Sequence, residues 1–535
     1  MKSEKIEKNS WQTFKKVSKY LLPIGLILVI GISILIIILS FRSKKSAKDI
    51  VNDMGIGWNL GNTFDCFDNS KIFSSPDEQI TYWGNVVPTK EMILKIKKYG
   101  IKTIRLPVTW MNFIDEKGNV NGDWISRVKE VVKWIIKDKM YCILNVHHDG
   151  GDGNWLSEGL KAKNKYINLW SQIAIEFKNF NEYLIFESMN AVYFRISNNQ
   201  YDYLTLLNLN QLFIDTVRNS GGKNGDRLLL IAGMGGNPEL TCIPEYAIPI
   251  DPINKFAVSF NYYIPEEFTL EPDGSPWSFE HNGEILYISP MIQWGEKEHY
   301  EILFNNFENI KKYFLEKQIP VILNEVGVLT EDKKEPKSIR EYLYTLFSMT
   351  SDYNGIISCL WDASKKGAGD MNYYDKENDK WYDEKIGDFF KKISKGKYVK
   401  PTDYYIYTNQ ETVYNTVSSG TIMLINIENK KAIKAIVNIL VEGRDYHSIG
   451  FGITSEDKNK AWIGEGISGS EGRKQDDGTY TFFIDIKDRD YNNYIQIEKW
   501  WGEEHITLKY FTLIYDKEYV IFNYIEYKNA IANYI

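Results

Sequence analysis

The sequence predicts an α/β fold in three parts: a (β/α)8 TIM barrel, preceded by a single transmembrane helix and followed by a smaller all-β, sandwich-like domain. From residue 55 onward, short apolar runs alternate with amphipathic stretches of helical length, and eight such units close a barrel. Residues 21–41 form an uncharged apolar run, and the sequence beyond residue 397 is typical of short strands separated by polar turns. A chain of 535 residues has room for all three parts.

The apolar run Leu21–Phe41 predicts a transmembrane signal-anchor helix. At about 1.5 Å per residue, it is long enough to cross a hydrocarbon core of about 30 Å. The segment Phe41–Lys45 is a poor cleavage site, so the helix is expected to stay attached. Basic residues are more numerous before the helix than after it, which favours a cytoplasmic segment at 1–20, a juxtamembrane linker at 42–50 and extracellular domains beyond it. The predicted location is therefore the cell membrane.

The composition argues against some classes of protein. A net charge of −7 and a pI near 5.7 do not fit a nucleic acid partner, because phosphates require a basic surface. Aromatic residues make up 14% of the chain, which core packing explains for the most part but which also suits a sugar-binding cleft.

The four cysteines, at positions 66, 142, 242 and 359, have no CxxC spacing and no neighbouring histidine. They predict no zinc site, and we expect no metal and no cofactor. Disulfides outside the cell are one alternative, but cysteines in apolar runs such as Tyr141–Leu144 are more often small buried hydrophobic residues. We expect free, buried thiols.

The predicted barrel domain spans residues 51–397. Its strands are the eight apolar runs Gly55–Leu60, Thr103–Pro107, Tyr141–Val146, Tyr183–Asn190, Arg227–Ala232, Phe256–Tyr262, Val321–Glu325 and Gly355–Trp361. Helices with apolar positions three or four residues apart are predicted between them, among others at Thr89–Tyr99, Trp124–Lys137, Tyr201–Asn219, Glu298–Lys317 and Glu335–Ser348. This alternation predicts parallel βα units.

Seven polar or aromatic residues stand where these strands end: Asn59, Arg105, His147, Asn190, Tyr263, Glu325 and Trp361. The carboxyl ends of the strands form the active face of such a barrel. Each residue alone has a structural explanation, such as a surface ion pair for Arg105, a satisfied core histidine for His147 or packing for Trp361. Seven of them at equivalent places in consecutive units predict a functional site.

The strand ends belong to eight short stretches: Gly57–Thr63 (GWNLGNT), Trp83–Asn85 (WGN), Thr103–Trp110 (TIRLPVTW), Asn145–Asp149 (NVHHD), Phe186–Asn190 (FESMN), Tyr262–Thr269 (YYIPEEFT), Asn324–Gly327 (NEVG) and Leu360–Asp362 (LWD). In order and spacing, over roughly residues 50–397, the chain resembles glycoside hydrolase family five, the cellulase family. The resemblance implies a retaining, endo-acting β-glucanase barrel whose partner is a β-glucan polysaccharide or a cello-oligosaccharide.

The resemblance also implies roles for individual residues. It makes Glu325 the nucleophile and places Tyr263 beside it. The residues expected to bind the sugar are Asn59, Arg105, His147, His148, Asn190, Asn261 and Trp361, the last of which would stack under the ring.

Two positions depart from the family pattern. The family has glutamate after the strand-four asparagine, where this chain has Ala191, and histidine two residues before the site tyrosine, where this chain has Asn261. A retaining glycosidase needs two carboxyl groups about 5 Å apart, one as nucleophile and one as acid and then base. A general acid contributes about 10² to 10⁴ in rate, or roughly 3 to 5 kcal/mol of barrier, which alanine cannot supply.

Three nearby carboxylates are candidates for the missing role. Glu187 lies four residues before Ala191 on the same side of the predicted strand, but about 13 Å lower at about 3.3 Å per residue, so it is not expected to reach. Glu266 and Glu267 follow the sixth strand on a loop. They are either solvated surface acids, the commoner case, or acids that swing inward.

Three functions remain open. The leading hypothesis is a membrane-anchored β-glucan-binding protein on a cellulase scaffold, a pseudoenzyme whose hydrolysis is weak or absent. The first alternative is an active retaining endo-β-1,4-glucanase that takes its acid from elsewhere. The second is a non-catalytic scaffold for a membrane polysaccharide synthase. The central residues do not distinguish β-1,4-glucan from mannan or xyloglucan as the ligand.

The region 398–535 is predicted as a β-sandwich, from strand-like runs at Tyr404–Tyr407, Thr421–Ile427, Ala435–Glu442, Thr479–Ile486, Tyr494–Lys499 and His505–Tyr515. Trp462, Trp500 and Trp501 either form a carbohydrate-binding platform or belong to the sandwich core. The run Gly464–Gly469 matches GxGxxG, but without a following helix it predicts a glycine-rich loop and no dinucleotide site.

Overall fold

The computed structural model describes residues 45–151, 153–197, 200–271, 277–281, 284–288, 293–330, 334–364, 370–418, 423–426, 432–442, 450–455, 466–467, 473–475, 477–485, 494–501 and 505–535. The chain divides into two compact units. One runs to Gly295 and adds Asn305–Tyr398 and Tyr534–Ile535, and the other comprises Glu296–Phe304 and Val399–Asn533.

Eight parallel strands close into a barrel, which confirms the predicted (β/α)8 barrel. They are β1 Ile56–Asn59, β2 Ile101–Leu106, β3 Tyr141–Asn145, β4 Leu184–Glu187, β5 Leu229–Ala232, β6 Phe256–Tyr262, β7 Val321–Val326 and β8 Ile356–Leu360. Each strand pairs with its neighbours in the sequence, and β8 closes the ring on β1 by pairing Leu360 with Trp58. All eight carboxyl ends therefore lie at one face of the barrel.

The helices up to residue 393 alternate with these strands. They are α1 Ala47–Met54, α2 Lys90–Lys97, α3 Gly122–Lys137, α4 Lys163–Phe177, α5 Tyr203–Asn219, α6 Lys297–Tyr313, α7 Pro336–Asp352 and α8 Glu384–Ile393, with shorter helices at Pro76–Ile80, Pro238–Thr241 and Glu266–Thr269. The buried residues of α3, such as Trp124, Val128 and Val131, have the expected spacing of three or four. The five predicted helices are all present, with ends that differ by a few residues.

Helix α1 packs against residues near the starts of the strands. Ser46 caps it by accepting a hydrogen bond from the Asp49 N–H, and the Asp49 carboxylate accepts one in return from the Ser46 N–H. The side chains of Ile50 and Met54 are buried in one cluster with Ile322 and other inward-facing strand residues. Complete burial of such a side chain contributes roughly 1.5 to 3 kcal/mol. Helix α1 therefore lies partly within the stretch 42–50 that was predicted as a linker.

The predicted transmembrane helix at 21–41 and the predicted cytoplasmic segment at 1–20 lie outside the described residues. In the part of the chain that the structure describes, no helix is both long and apolar enough to span a bilayer. Helices α5, α6 and α7 have 17 residues each, fewer than the about 20 needed to cross the hydrocarbon core. This finding corrects the predicted location in the cell membrane, which plays no part in the function proposed below.

Beyond residue 398 the described elements are mainly strands. They are β9 Tyr405–Ser418, β10 Met423–Asn426, β11 Ala432–Glu442, β12 Gly450–Ser455, β13 Tyr480–Asp485, β14 Tyr494–Trp501 and β15 His505–Phe522, followed by α9 Tyr524–Ile531. One sheet contains β9, β15, β11 and β13 in that order, and another contains β10, β14 and β12. The six expected runs are strands, whereas their packing as a sandwich and a carbohydrate-binding role stay predictions. Trp462, most of Gly464–Gly469 and the side chains of Trp500 and Trp501 lie outside the described part.

All four cysteines are free thiols, as predicted, and three of them are buried: Cys66, Cys142 and Cys359. Burial raises the pKa of each buried thiol, so these side chains behave as small apolar groups. Cys359 in β8 requires glycine at its neighbour on β1, because a Cβ on Gly57 would lie 2.2 Å from the Cys359 Sγ.

Candidate active site

The side chains at the strand ends converge on one buried guanidinium group. Arg105, near the end of β2, has no exposed surface. Its Nε donates to Glu187 Oε2 at 2.7 Å, and its Nη2 donates to Asn190 Oδ1 at 2.8 Å. Its Nη1 donates to Asn59 Oδ1 at 3.0 Å and to Glu325 Oε1 at 2.9 Å. Burial lowers the pKa of Arg105, but the two carboxylates more than offset this and raise it above its ordinary value.

Glu187 lies closer to the site than the sequence predicted. Strand β4 ends at Glu187, whereas it was expected to continue to Asn190. Beyond Glu187 the backbone turns, because the Ser188 N–H donates to Leu230 in β5 and the Asn190 N–H donates to Val146. Glu187 and Asn190 consequently bind the same guanidinium group. The predicted offset of about 13 Å between Glu187 and position 191 assumed an extended strand, at about 3.3 Å per residue, and that assumption is wrong.

The carboxylate of Glu187 is nevertheless committed to structural contacts. Its side chain is fully buried, with Oε2 paired to Arg105 and Oε1 accepting a hydrogen bond from Asn324 Nδ2. A carboxylate held in this way is not free to protonate a substrate. That Glu187 does not serve as the acid stays a prediction, and its physical reason is now the commitment of the carboxylate to these partners.

Glu325 lies in an irregular part of β7. Between Leu323 and Val326 the register of β7 shifts against both neighbouring strands, so Asn324 and Glu325 interrupt the regular pairing. Irregularities of this kind at the rim of a barrel redirect side chains. The bulge explains how two consecutive residues both take part in the site, with Asn324 bound to Glu187 and Glu325 bound to Arg105.

Glu325 has one cationic partner and one neutral partner. Its Oε1 accepts from Arg105, and its Oε2 accepts from the Tyr263 hydroxyl at 3.2 Å. The His147 Nε2 lies 3.8 Å from Oε1. Burial raises the pKa of the Glu325 carboxyl, and the charge and hydrogen bond of Arg105 oppose that rise. Burial and the Glu325 charge raise the pKa of Tyr263, which is therefore a neutral hydrogen-bond donor.

Aromatic rings form the second part of the site. The His147 ring is stacked with Trp361, with centroids 5.7 Å apart and planes 6° apart, and it meets His148 edge to face at 4.5 Å. His148 also contacts Phe67 and Trp83. Burial lowers the pKa of both histidines, that of His148 to about 4, so both are neutral near pH 7. Flat rings with uncharged polar edges are suited to a sugar.

Exposure divides the residues expected to bind sugar into two groups. Asn59 and Arg105 are fully buried, and His147 is 2% exposed. The members that keep part of their surface exposed are His148, Asn190, Asn261 and Trp361. In addition to its bond with Arg105, Asn59 donates from Nδ2 to the Asn324 carbonyl at 2.9 Å. The buried group therefore positions Glu325, and the partly exposed group is available to a ligand.

Ala191 and Asn261, the two positions expected to depart from the family pattern, lie next to the same glycine. Ala191 has a left-handed backbone, with φ at 27°, and Gly236 in the loop after β5 has φ at 61°. A Cβ on Gly236 would come within 2.8 Å of the Ala191 Cβ and 3.3 Å of the Asn261 Cγ. Within the described residues, the buried Asn261 Oδ1 has no hydrogen-bond partner.

Buried polar side chains fix the loop that carries Trp361. Asp362 accepts hydrogen bonds from Trp58 Nε1 and the Tyr374 N–H, both at 2.9 Å. Lys376 Nζ donates to the Gly61 carbonyl at 2.6 Å, and burial lowers its pKa to about 8. The sequence reasoning missed both roles, although Asp362 directly follows Trp361 in the LWD stretch.

Three side chains of the site could hold a cation. The metal-binding atoms of Asp65, His147 and His148 lie within 4.8 Å of one another. The Asp65 carboxylate already accepts the Thr63 N–H at 2.8 Å, and Nδ1 of His147 lies 3.1 Å from Asn145 Nδ2. Because these atoms have protein partners, we assign the cluster no role, and the absence of a metal stays a prediction.

The buried Arg–Glu centre and the flat aromatic rings lie at the carboxyl face of an α/β barrel, where the active sites of barrel enzymes are found. The family described as cellulase (glycosyl hydrolase family 5) matches residues 61–367. The chain therefore belongs to glycosyl hydrolase family 5.

The similar proteins cover most of the barrel. A GH5-4 broad specificity endoglucanase from an uncultured bovine rumen ciliate is 56% identical, with a TM-score of 0.63, and the match covers 66% of this chain and 99% of that one. A GH5 lichenase from Caldicellulosiruptor sp. F32 is 30% identical, with a TM-score of 0.59, over 65% of this chain and 96% of that one. Endoglucanase A of Paenibacillus barcinonensis is 30% identical over 358 residues, 62% of this chain and 86% of the relative. The chain is thus a homologue of β-glucan-acting glycoside hydrolases.

Proposed function

We propose that the barrel binds a β-1,4-linked glucan chain at the face formed by its carboxyl strand ends, and that it hydrolyses natural polysaccharide weakly or not at all. The observation that carries this proposal is the side chain after Asn190. Arg105 holds Asn190, as it holds Glu325, but the next residue, Ala191, ends at a Cβ against Gly236. The position where the family has its acid and base therefore offers neither.

The missing carboxylate affects both halves of a retaining reaction. In the first half Glu325 attacks the sugar C1 while an acid protonates the departing oxygen, and in the second half the same residue, now a base, activates water. Without it, the sugar oxygen must leave as an alkoxide and water must attack unassisted. The loss amounts to about 10² to 10⁴ in rate, or roughly 3 to 5 kcal/mol of barrier.

Binding does not depend on this carboxylate. The partly exposed surfaces of His148, Asn190 and Trp361 remain, and the rings of His147 and Trp361 are stacked in a fixed orientation. A mutant of the Caldicellulosiruptor lichenase is described in complex with cellotetraose, and a related endoglucanase of Ruminococcus champanellensis with bound cellotriose. These relatives support a cello-oligosaccharide as the ligand of this cleft.

The test compares binding and turnover in the purified protein and its variants. We expect calorimetry to detect cellotetraose binding, while assays of reducing ends detect little cleavage of soluble β-glucan. Ala191→Glu should gain cleavage, and adding Glu325→Gln should remove the gain. Ser197→Glu, an exposed position on the same loop, adds the same charge without a role in the site and should gain nothing. Robust cleavage of β-glucan by the unmodified protein would contradict the proposal.

One observation favours the alternative of an active endoglucanase. Glu266, three residues after Tyr263, has a raised pKa because of partial burial and the nearby charges of Glu267 and Glu239. A raised pKa is what a general acid needs. Under this alternative the unmodified protein cleaves β-glucan and Glu266→Gln abolishes the activity, whereas the matched variant Glu267→Gln retains it. The scaffold hypothesis depended on a membrane location and is set aside with it.

A further inference from the structure

We propose that this cleft transfers β-glucosyl units from donors with an acidic leaving group, such as phenyl glycosides and glycosyl esters, to acceptors that are already anionic, such as carboxylates and thiolates. The inference rests on the proposed function, because it takes Glu325 as the nucleophile and position 191 as the lost acid and base. It adds a reaction that the remaining half of the site can still carry out.

The nucleophile half of the site is complete. Both oxygens of Glu325 are hydrogen-bonded, to Arg105 at 2.9 Å and to Tyr263 at 3.2 Å. The guanidinium of Arg105 is held on its other sides by Glu187 and Asn59, so it stays in place when Glu325 reacts. Glu325 is therefore oriented independently of any residue at position 191.

A donor whose leaving group is stable as an anion needs no proton from the protein. The C1–O bond to the leaving group breaks, and its electron pair departs with a phenolate or carboxylate. A bond forms at the same time between C1 and a carboxylate oxygen of Glu325. The product is a glycosyl ester of Glu325 with inverted configuration at C1.

The second step requires an acceptor that carries its own electron pair. Water must lose a proton to a base, and Ala191 cannot accept one. An anion attacks C1 directly, the ester bond to Glu325 breaks, and Glu325 recovers its carboxylate. Two inversions at C1 give a product with the β configuration of the donor. The glycosyl ester therefore persists in water and is discharged by anions.

The charges of the site admit an anion at this stage. Before reaction, Arg105 carries one positive charge, and Glu187 and Glu325 carry one negative charge each. In the glycosyl ester Glu325 is neutral, so the charges of Arg105 and Glu187 balance, and both histidines are neutral. A carboxylate at position 191 would add a negative charge where the acceptor must approach. Alanine does not repel it.

The described groups next to Ala191 are small and uncharged. Gly236 contributes no side chain, and Ala191 contributes only its Cβ. The Asn261 side chain lies next to the same glycine, and its Oδ1 has no hydrogen-bond partner among the described residues. The position is therefore bounded by small and neutral groups.

The test uses 2,4-dinitrophenyl β-cellobioside as donor and sodium azide as the anionic probe, with sodium chloride at equal ionic strength as control. We expect a burst of about one equivalent of dinitrophenolate and then slow release, the sign of an accumulating glycosyl ester. Azide should raise the slow rate by about tenfold or more and yield β-cellobiosyl azide, with chloride inactive. Acetate and a thiolate then replace azide as probes of the two acceptor classes.

Variants separate the steps. Glu325→Gln should show no burst, and Ala191→Glu should release cellobiose without acceleration by azide. Ser197→Glu should keep the azide response of the unmodified protein. A burst without acceleration by azide, the absence of a burst, or an azide product of α configuration would each overturn the transfer proposal. Two other results would contradict the proposed function instead: the absence of cellotetraose binding, and robust cleavage of β-glucan in the absence of azide.

Discussion

Arg105 and Glu187 form an ion pair in which neither side chain has any exposed surface, with Nε 2.7 Å from Oε2. The same guanidinium group binds Glu325, and the same carboxylate binds Asn324, the residue before it. Glu325 is therefore oriented by charges that belong to the core of the barrel. Arg105 cannot turn away from Glu325 without disturbing a pair on which folding depends.

Removing one member of that pair should destabilise the barrel. Glu187→Ala breaks a buried ion pair and removes the acceptor of two buried donors, Arg105 Nε and Asn324 Nδ2, at an expected cost of about 3 to 5 kcal/mol in the free energy of unfolding. Urea unfolding followed by circular dichroism measures it. The control is Asp77→Ala, because the Asp77 carboxylate is 58% exposed in its pair with Arg127 and should contribute little. Equal losses in the two variants would show that the burial of the pair does not matter.

Under the proposed function, introducing the expected family residues at positions 191 and 261 together should have more effect than introducing one of them. Ala191 and Asn261 flank Gly236, so side chains introduced at the two positions come within reach of each other. We expect Ala191→Glu with Asn261→His to cleave soluble β-glucan about tenfold faster than Ala191→Glu alone, and Asn261→His alone to gain nothing. The matched control pairs Ala191→Glu with Asn208→His, a partly exposed position in α5. If both double variants equal Ala191→Glu, the two positions are not coupled.

Trp361 should carry a large share of the affinity for sugar. Its indole is stacked with the His147 ring and keeps part of its surface exposed, which is the arrangement needed to lie against a glucose ring. Trp361→Ala should weaken cellotetraose binding by about tenfold to a hundredfold, with Trp361→Phe in between, as measured by calorimetry. Trp134→Ala, which removes a helix-surface indole covered by Arg127 in α3, should bind as the unmodified protein does. Similar losses in the two alanine variants would refute a specific role.

Asp149 should give the stability a measurable dependence on pH. Its carboxylate accepts hydrogen bonds from the Trp110 N–H and from Trp155 Nε1, but burial outweighs them and raises its pKa from 3.8 to about 6. Between those values the folded state binds more protons than the unfolded state, so the free energy of unfolding falls as pH rises, by up to about 1.4 kcal/mol per pH unit.

Comparison with Asp149→Asn isolates this titration, since the two proteins share all other ionisable groups. The free energy of unfolding of the unmodified protein minus that of the variant should decrease from pH 4 to pH 6 and stay constant above pH 7. Urea unfolding at each pH provides the values. A difference that rises with pH would have the wrong sign for a carboxyl whose pKa is raised by folding.

The sequence predicted the barrel and the placement of its site because both depend on local patterns. Short apolar runs alternating with amphipathic stretches determined the eight strands, and the rule that function lies at carboxyl strand ends selected Arg105, His147 and Glu325. The end of β4 was less well predicted. Residues 188–190 follow the apolar run directly, but the Ser188 and Asn190 N–H groups bond to Leu230 and to Val146 instead of continuing one ladder.

Contacts between distant strands were not predictable in the same way. The Arg105–Glu187 pair joins residues 82 positions apart, and Asn324 and Glu187 are 137 apart. Which buried polar groups meet across the barrel depends on strand register and on the bulge in β7, neither of which leaves a local signal. For the same reason, the burial of Asn59 and Arg105, which gives them positioning roles, was not visible from their place at a strand end.

The buried charge network also determines how such a protein changes over evolutionary time. Substitution of Glu187 or Arg105 breaks a buried ion pair in the core, so selection for folding alone is enough to retain them and the contacts they give to Glu325. Position 191 is partly exposed and outside the network, so its side chain can change without breaking a buried ion pair. A gene can therefore keep the contacts around Glu325 whether or not its product still turns over substrate. Under the proposed function, the residue after the strand-four asparagine is the better guide to activity.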